Sequence, residues 1–348
     1  MIFPWKKNRT VERIAVSWDR ACFSYVQTSG SNNSKPKIVK TGVERINGES
    51  MQIFIAKLKS LHLSGSEVIL QLVSSQYTLL QIDAPPVSDA ELKNACAYEI
   101  KGLLEGHIDE FSIDVIRLGD GSQKGQGQVF VAAVKKNLIA ELTSFCRQIG
   151  LDVNIIDIQE TAQRNLQTLY SRANGFGVMA MASISVVSEY QALLTISAND
   201  ELYYFRRLEI PNGFIDEEWG SGFELFQDPY VPVVRDDYSI PTEDFSYDGS
   251  YELTNEDERT SKLIVEIQRS LDLWERTWRS LPLVGRVCFC GDRSVDLSGW
   301  ISQEMNQLVS NFYLDEDFRS IFMLNTKDQI LCLPLAGSLL REQKTGAL

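Results

Sequence analysis

Histidine is almost missing from this sequence: 348 residues contain two, His62 and His107. Neither sits in a Ser/His/Asp setting, so a hydrolase triad has no support. Cysteine is scarce and scattered, at Cys22, Cys96, Cys146, Cys288, Cys290 and Cys332. Cys288-Phe289-Cys290 alternates as a strand does, but a metal site would need two further ligands nearby. The thiols therefore read as buried and reduced. No apolar run approaches the roughly 20 residues that cross a bilayer. The start, Met1-Ile2-Phe3-Pro4-Trp5-Lys6-Lys7, has bases but no apolar stretch behind them, so no secretory signal is expected and the chain is placed in the cytoplasm. Basic surplus is also lacking. The formal net charge is −13, which excludes the phosphate-neutralising surface that non-specific nucleic-acid binding requires.

Most of that charge is local. Between Asn212 and Arg259 fourteen acids face two bases, which leaves the rest of the chain near neutral. The stretch has no sustained periodicity. It reads as a solvated, poorly ordered insertion, residues 212–259. Its interleaved aromatics, Trp219, Phe223, Tyr238 and Phe245 among them, are the feature a docking segment would need.

At this length two or three packed units are expected. Alternation predicts strands over Val11–Trp18 and Ala21–Thr28 with a turn at Asp19-Arg20, then a third at Pro36–Lys40. Met51, Phe54, Ile55, Leu58 and Leu61 recur at helical spacing. A second unit starts near Ser75 with a strand over Tyr77–Asp83. Ser88-Asp89-Ala90-Glu91 predicts a capping box, followed by Leu92, Cys96, Ile100 and Leu103 on one helical face. Strands over Ile113–Leu118 and Gln128–Val134 flank a glycine-rich turn. A helix through Leu138–Ile149, a strand over Val153–Ile158 and a helix through Ala162–Leu169 follow. The second half repeats the opening: strands over Val178–Val187, Gln191–Ser197 and Glu201–Ile210, a long helix through Leu263–Trp278, and a strand over Arg286–Cys290. The end reads as a strand, Gln329–Leu333, then Pro334 and a small-residue helix. The plan is a duplicated α/β one, with residues 75–151 inserted into a first lobe made of 1–74 and 152–173, and a second lobe at 174–348. The Trp274/Trp278 stripe reads as core packing. Asp157 and Glu160 read as helix-start acids favoured by the dipole, not as an acid/base pair.

Several stretches carry a resemblance in this order. "SSQYTLLQIDAPPVSDAELKNACAYEIKGLLEGHIDEFSIDVIRL", "VFVAAVKKNLIAELTSFCRQIGLDVNIIDIQETAQRNLQTLY", "ELYYFRRLEI", "LIVEIQRSLDLWERTW" and "CLPLAGSLLRE" resemble landmarks of the PilM and MshI type IV pilus assembly proteins, relatives of FtsA. The resemblance implies a duplicated RNase-H-like, actin-like ATPase fold with an inserted subdomain of FtsA/PilM type. It implies a cytoplasmic scaffold, peripheral at the inner membrane of a Gram-negative bacterium, that binds the tail of a bitopic PilN-like or MshJ-like partner, with pilus motor ATPase or platform components as further contacts. The implied groove lies beside the inserted unit, at Tyr77, Leu79, Gln81, Leu92 and Glu99. The alternatives are a nucleotide-binding actin-like ATPase and the cytoplasmic part of a type II secretion platform protein.

Actin-like ATPases hold phosphates on two glycine-rich turns, each beside an Asp that positions metal and water. Here the first turn, Ala15–Ala21, has no Gly. Ser17 stands about where the family's Asp would be, and Asp19 falls at the turn tip. The second stretch, Ala182–Ser188 with Ser183, has neither Gly nor Asp. Only Gly291-Asp292 resembles the adenosine turn. The expectation is a degenerate nucleotide site (Ser17, Asp19, Ser183, Gly291, Asp292), no metal, no ATP hydrolysis and no required cofactor, with ATP the one ligand such a remnant could hold.

Overall fold

The computed structural model describes residues 12–29, 37–118, 127–210, 255–290, 309–312 and 318–341. Two five-stranded sheets have one plan. The first uses β1 (Arg13–Trp18), β2 (Cys22–Ser29), β3 (Lys37–Arg45), β4 (Glu67–Leu72) and β8 (Ile155–Ile158), in the order β3-β2-β1-β4-β8. The second uses β9 (Ala180–Ser188), β10 (Gln191–Ala198), β11 (Glu201–Glu209), β12 (Val284–Cys290) and β13 (Val309–Phe312), in the order β11-β10-β9-β12-β13. In each, three antiparallel strands are extended by two parallel ones. This is the RNase-H-like arrangement, present twice. A third, antiparallel sheet of β5 (Thr78–Asp83), β6 (Phe111–Arg117) and β7 (Gln128–Lys135) runs β5-β7-β6.

Side-chain alternation sorts the layers. On β1, Ile14, Val16 and Trp18 face outward onto Phe54 and Leu58 of α1 (Met51–Ser60) and onto Leu142 and Phe145 of α3 (Lys136–Gln148). Ala15 and Ile69 face inward onto Cys332, Leu335, Ala336 and Leu339 of α6 (Thr326–Leu339). On β9, Ala182 and Ile184 face α5 (Asn255–Thr277), whose Leu263, Ile267, Leu271 and Trp274 are buried. Met181 faces the other way, toward Leu166 of α4 (Gln159–Asn174). The layers therefore run α1/α3, first sheet, α6, α4, second sheet, α5. The small sheet places α2 (Asp89–Ile100) on one face, through Leu92, Cys96 and Ile100. Its other face meets the second lobe, with Phe130 edge-on to Phe205 at 5.4 Å between centroids.

The meanders, the α1 stripe and the Trp274/Trp278 stripe form as their periodicity predicts, and Trp278 packs edge-on against Tyr203. Several expectations are corrected. Gln329–Leu333 is not a strand. Residues 326–339 form one helix with Pro334 inside it. That helix is enclosed by both lobes, so every residue from Cys332 to Leu339 is buried and no amphipathic period shows. β4 has no counterpart in the sequence reading, because its run Val68–Leu72 is buried on both faces and does not alternate. β13 was likewise not anticipated. At α2 the Ser88 hydroxyl donates to the Glu91 carboxylate at 2.8 Å and makes no side-chain bond to a helix amide, so the side chains pair with each other instead of forming the capping box. Leu103 lies past the end of α2 and is exposed. α5 begins at Asn255, so the end of the 212–259 stretch is helical. Residues 212–254 lie outside the described residues.

The two central helices touch where Gly337 of α6 meets α4. A Cβ built there would lie 2.3 Å from the Ala162 carbonyl oxygen and 2.7 Å from its carbon. The obstacle is backbone, so one helix must move. Gly337→Ala is expected to lower stability by about 1–3 kcal/mol, read as a lower urea midpoint with an unchanged m-value.

Candidate functional site

The first hairpin turn holds itself closed. Asp19 Oδ1 accepts hydrogen bonds from the Ala21 amide at 2.9 Å and the Cys22 amide at 2.6 Å. Those amides are the donors a phosphate would need at this turn, and the chain's own carboxylate takes them. Arg20, at φ 75°, sends its guanidinium to Glu141 of α3 through bonds of 2.9 and 2.7 Å. Trp18 stacks on Phe145 at 4.5 Å. Ser17 lies inside β1, buried and opposite Ser24. Ser183 is also inside a strand. Residues 182–188 belong to β9, and the second turn falls later, at Glu189-Tyr190. That is a correction to the sequence reading, and the turn so located has no glycine either. Gly291 and Asp292 lie outside the described residues.

Between the two hairpins sits a polar cluster. The Gln76 amide donates to the Trp18 carbonyl at 2.8 Å, which ties residues 76 and 77 to the end of β1. Arg207 of β11 donates to Gln191 at 3.1 Å, beside the second turn. Glu160, in the first turn of α4, lies between them and is fully buried. Its carboxylate pairs with Arg207 and accepts from the Tyr77 hydroxyl at 2.5 Å. Arg207 also donates to the Tyr77 oxygen at 2.6 Å, and its guanidinium lies 5.3 Å from the Tyr77 ring centroid. Burial, then the Glu160 charge, raises the Tyr77 phenol well above its ordinary value. Three segments distant in sequence thus meet in one charge-assisted network.

Glu160 is therefore more than a helix-start acid. Asp157 is not one either: it lies buried in β8, its Oδ1 accepting from the Ile158 amide at 3.0 Å and the Thr161 hydroxyl at 2.5 Å. Sequence reasoning did not single out Arg207. The available signal was a cation at a period-2 inward position of a strand. Nor did it single out Gln163 and Gln167, whose amides bridge backbone carbonyls of β9 and β10 (Ser183 and Leu193; Met181 and Thr195). Their signal was a glutamine every fourth residue from Gln159.

The expected groove residues do not line one open surface. Tyr77 belongs to the Glu160–Arg207 cluster. Leu79 packs against the core of the second lobe. The Gln81 amide donates to Gln128 at 2.6 Å and to the Tyr203 carbonyl at 3.3 Å. Leu92 is buried in the core under α2, and Glu99 is exposed on that helix. The reason is docking: the small sheet lies against the second lobe, and β5 is covered from that side.

The chain has the actin-like fold. It is similar to a chain of a PilM–PilN type IV pilus biogenesis complex, at 16% identity and a TM-score of 0.64, over 95% of this chain and 99% of that one. It is similar to a Bacteroides thetaiotaomicron protein with actin-like ATPase fold and unknown function, at 10% identity and a TM-score of 0.45, over 93% of this chain and 100% of that one. It is also similar to the cytoplasmic domain of EpsL, an inner-membrane component of the type II secretion system of Vibrio cholerae, at 12% identity and a TM-score of 0.40, over 57% and 71% of the two chains. No protein-family model matches the sequence. No curated protein matches it either. Among the described residues no helix is long and apolar enough to cross a membrane, and no group of three or more metal-ligating side chains gathers. Burial pushes the Cys146 and Cys332 thiols up to about 12, which leaves them protonated and unreactive.

Breaking the central pair leaves a buried charge without its partner. Glu160→Gln or Arg207→Met alone is expected to cost about 3–5 kcal/mol. The double variant is expected to cost less than the sum, and a double-mutant cycle in urea measures the coupling. The pH dependence follows from Tyr77. Its folded pKa is raised, so its contribution is complete below the ordinary value of 10.0 and is lost as pH climbs through the folded one. Between about pH 9 and about pH 11 the wild type is expected to lose more stability than Tyr77→Phe.

Proposed function

We propose that this protein is a non-catalytic scaffold of a type IV pilus assembly machine, of the MSHA-like kind, at the cytoplasmic face of the inner membrane. It binds the short cytoplasmic tail of a bitopic, PilN-like membrane protein and requires no cofactor. The reading rests above all on the likeness to the PilM–PilN chain, which runs over nearly the whole of both chains. The non-catalytic part rests on local chemistry. The first turn's amides are taken by Asp19, and the space between the hairpins holds Glu160, Arg207 and Tyr77. A triphosphate arriving there would meet the Asp19 carboxylate, no glycine at either hairpin turn, and a space already filled by the Glu160–Arg207 pair, so the residues described do not fit its phosphates.

Titration calorimetry with a synthetic peptide of the partner's cytoplasmic tail tests the binding half. Saturable binding at micromolar concentration is the expected outcome, and its absence sinks the assignment. Mg-ATP turnover tests the other half. No hydrolysis above the buffer rate is expected. Turnover that disappears in Asp19→Ala would make the protein an ATPase.

A further inference from the structure

The small sheet has two edges, and they are not equivalent. The Ala84 amide donates to the Gly127 carbonyl at 2.7 Å, and the Leu118 amide donates to the Gln128 carbonyl at 3.0 Å. Antiparallel pairs alternate. With the observed registers, β7 turns its odd-numbered backbone groups to β5 and its even-numbered ones to β6. On β6 the N–H and C=O groups of Ile113, Val115 and Arg117 therefore point away from the sheet, while the Phe111 amide is taken by the Ile108 carbonyl. Among the described residues no strand pairs with them. β5, at the other edge, runs beside the second lobe, where Leu79 packs on the core and the Gln81 amide donates to the Tyr203 carbonyl.

β6 is seven residues long, regular in register, and free of proline and bulge. It thus lacks two of the devices that usually blunt an edge, proline and a bulge. What it carries is acidic charge. Residues Asp83 to Asp114 hold eight acids and two bases. Asp114, at the middle of β6, is exposed and has no ion pair among the described residues, whereas Arg117 is taken by Asp89 at 2.7 Å. Exposed apolar surface lies on the same elements, at Ile116 on β6 and Tyr98 on α2.

We propose that the outer edge of β6 accepts an extended, basic segment of a partner protein as a fourth strand of the small sheet. Main-chain bonds along residues 113–117 would hold it, and a cation would stand opposite Asp114. A second copy of this chain fits poorly. Antiparallel self-pairing centred on the strand sets Asp114 against its own copy, and like charges directly opposite are destabilising. This edge lies beyond the tail-binding role proposed above and does not depend on it.

The test uses the full chain and two synthetic probes: an octapeptide alternating lysine with valine, and its glutamate counterpart. The lysine peptide at millimolar concentration is expected to slow amide hydrogen exchange at Ile113, Val115 and Arg117 at least about tenfold, while the glutamate peptide leaves them unchanged. Val115→Pro removes one outward N–H at an edge position where proline is tolerated, and should abolish the protection. Asp114→Lys should transfer it to the glutamate peptide. The proposal fails if neither peptide slows these amides, if Val115→Pro leaves the protection intact, or if Asp114→Lys does not change the preference. Protection that appears without peptide as protein concentration rises would make a second copy the occupant. Protection in the free chain that is lost on charge reversal of Lys6, Lys7 and Arg9 would make the chain's own start the occupant. Either result overturns the proposal.

Discussion

A carboxylate with none of its surface in water has to be neutralised where it stands, and Glu160 sets the terms for the rest of this molecule. It occupies the first turn of α4, where the helix dipole favours negative charge. That alone does not offset its desolvation, which amounts to several kcal/mol for a buried ion. The rest comes from Arg207 on the third strand of the second lobe and from the Tyr77 hydroxyl at the start of the small sheet. Because the three groups come from three parts of the chain, satisfying one charge fixes how those parts sit together. Any shift of one part that keeps Glu160 buried but removes Arg207 would leave an uncompensated charge, so the network acts as a constraint on geometry more than as a source of stability.

α4 extends the same logic along its length. Gln163 and Gln167 each donate to carbonyls of two neighbouring strands and accept from a hydroxyl, Ser185 or Thr195, in return. Buried amides so completely matched specify one register of helix on sheet, because any slip by a turn orphans them. On the opposite side α4 meets α6 backbone to backbone at Gly337, and the Asn165 amide closes on the Gly337 carbonyl at 3.0 Å. Gln71 of the first sheet reaches the Pro334 carbonyl and the Ser338 hydroxyl, both at 2.8 Å. A polar thread therefore runs from the first sheet through both helices to the second sheet, with apolar packing on either side of it.

How far this was legible in the sequence depended on what each element faces. β1, β2 and the second meander show boundaries set by turns, and α1 and α5 each bury one stripe, so period and turn chemistry sufficed. α6 failed because it faces protein on all sides and its signal is a uniform apolar run broken by Pro334. β4 failed for the same reason within a sheet. The polar network was the least readable part. Asp157 and Glu160 look alike in sequence and both are buried, and what sets Glu160 apart is its ion pair with Arg207, 47 residues onward. No local pattern supplies that pairing. The groove residues were placed by resemblance, and resemblance does not report that the second lobe covers β5.

Filling the centre has a consequence for where this molecule can bind anything. The interlobe space holds the chain's own ion pair, the first hairpin's amides are capped by Asp19, and the small sheet packs one face on α2 and the Phe130 part of the other on Phe205. Among the described residues, capacity remains at the periphery, on helix surfaces and unpaired strand edges. Surfaces of that kind recognise extended chain through backbone geometry and charge sign, not through an enclosed pocket. Such a site suits a protein segment better than a small molecule, which needs concavity to bury most of its surface. Where the two hairpins of this duplicated fold face each other, the described residues thus place a buried ion pair bridged by a phenol.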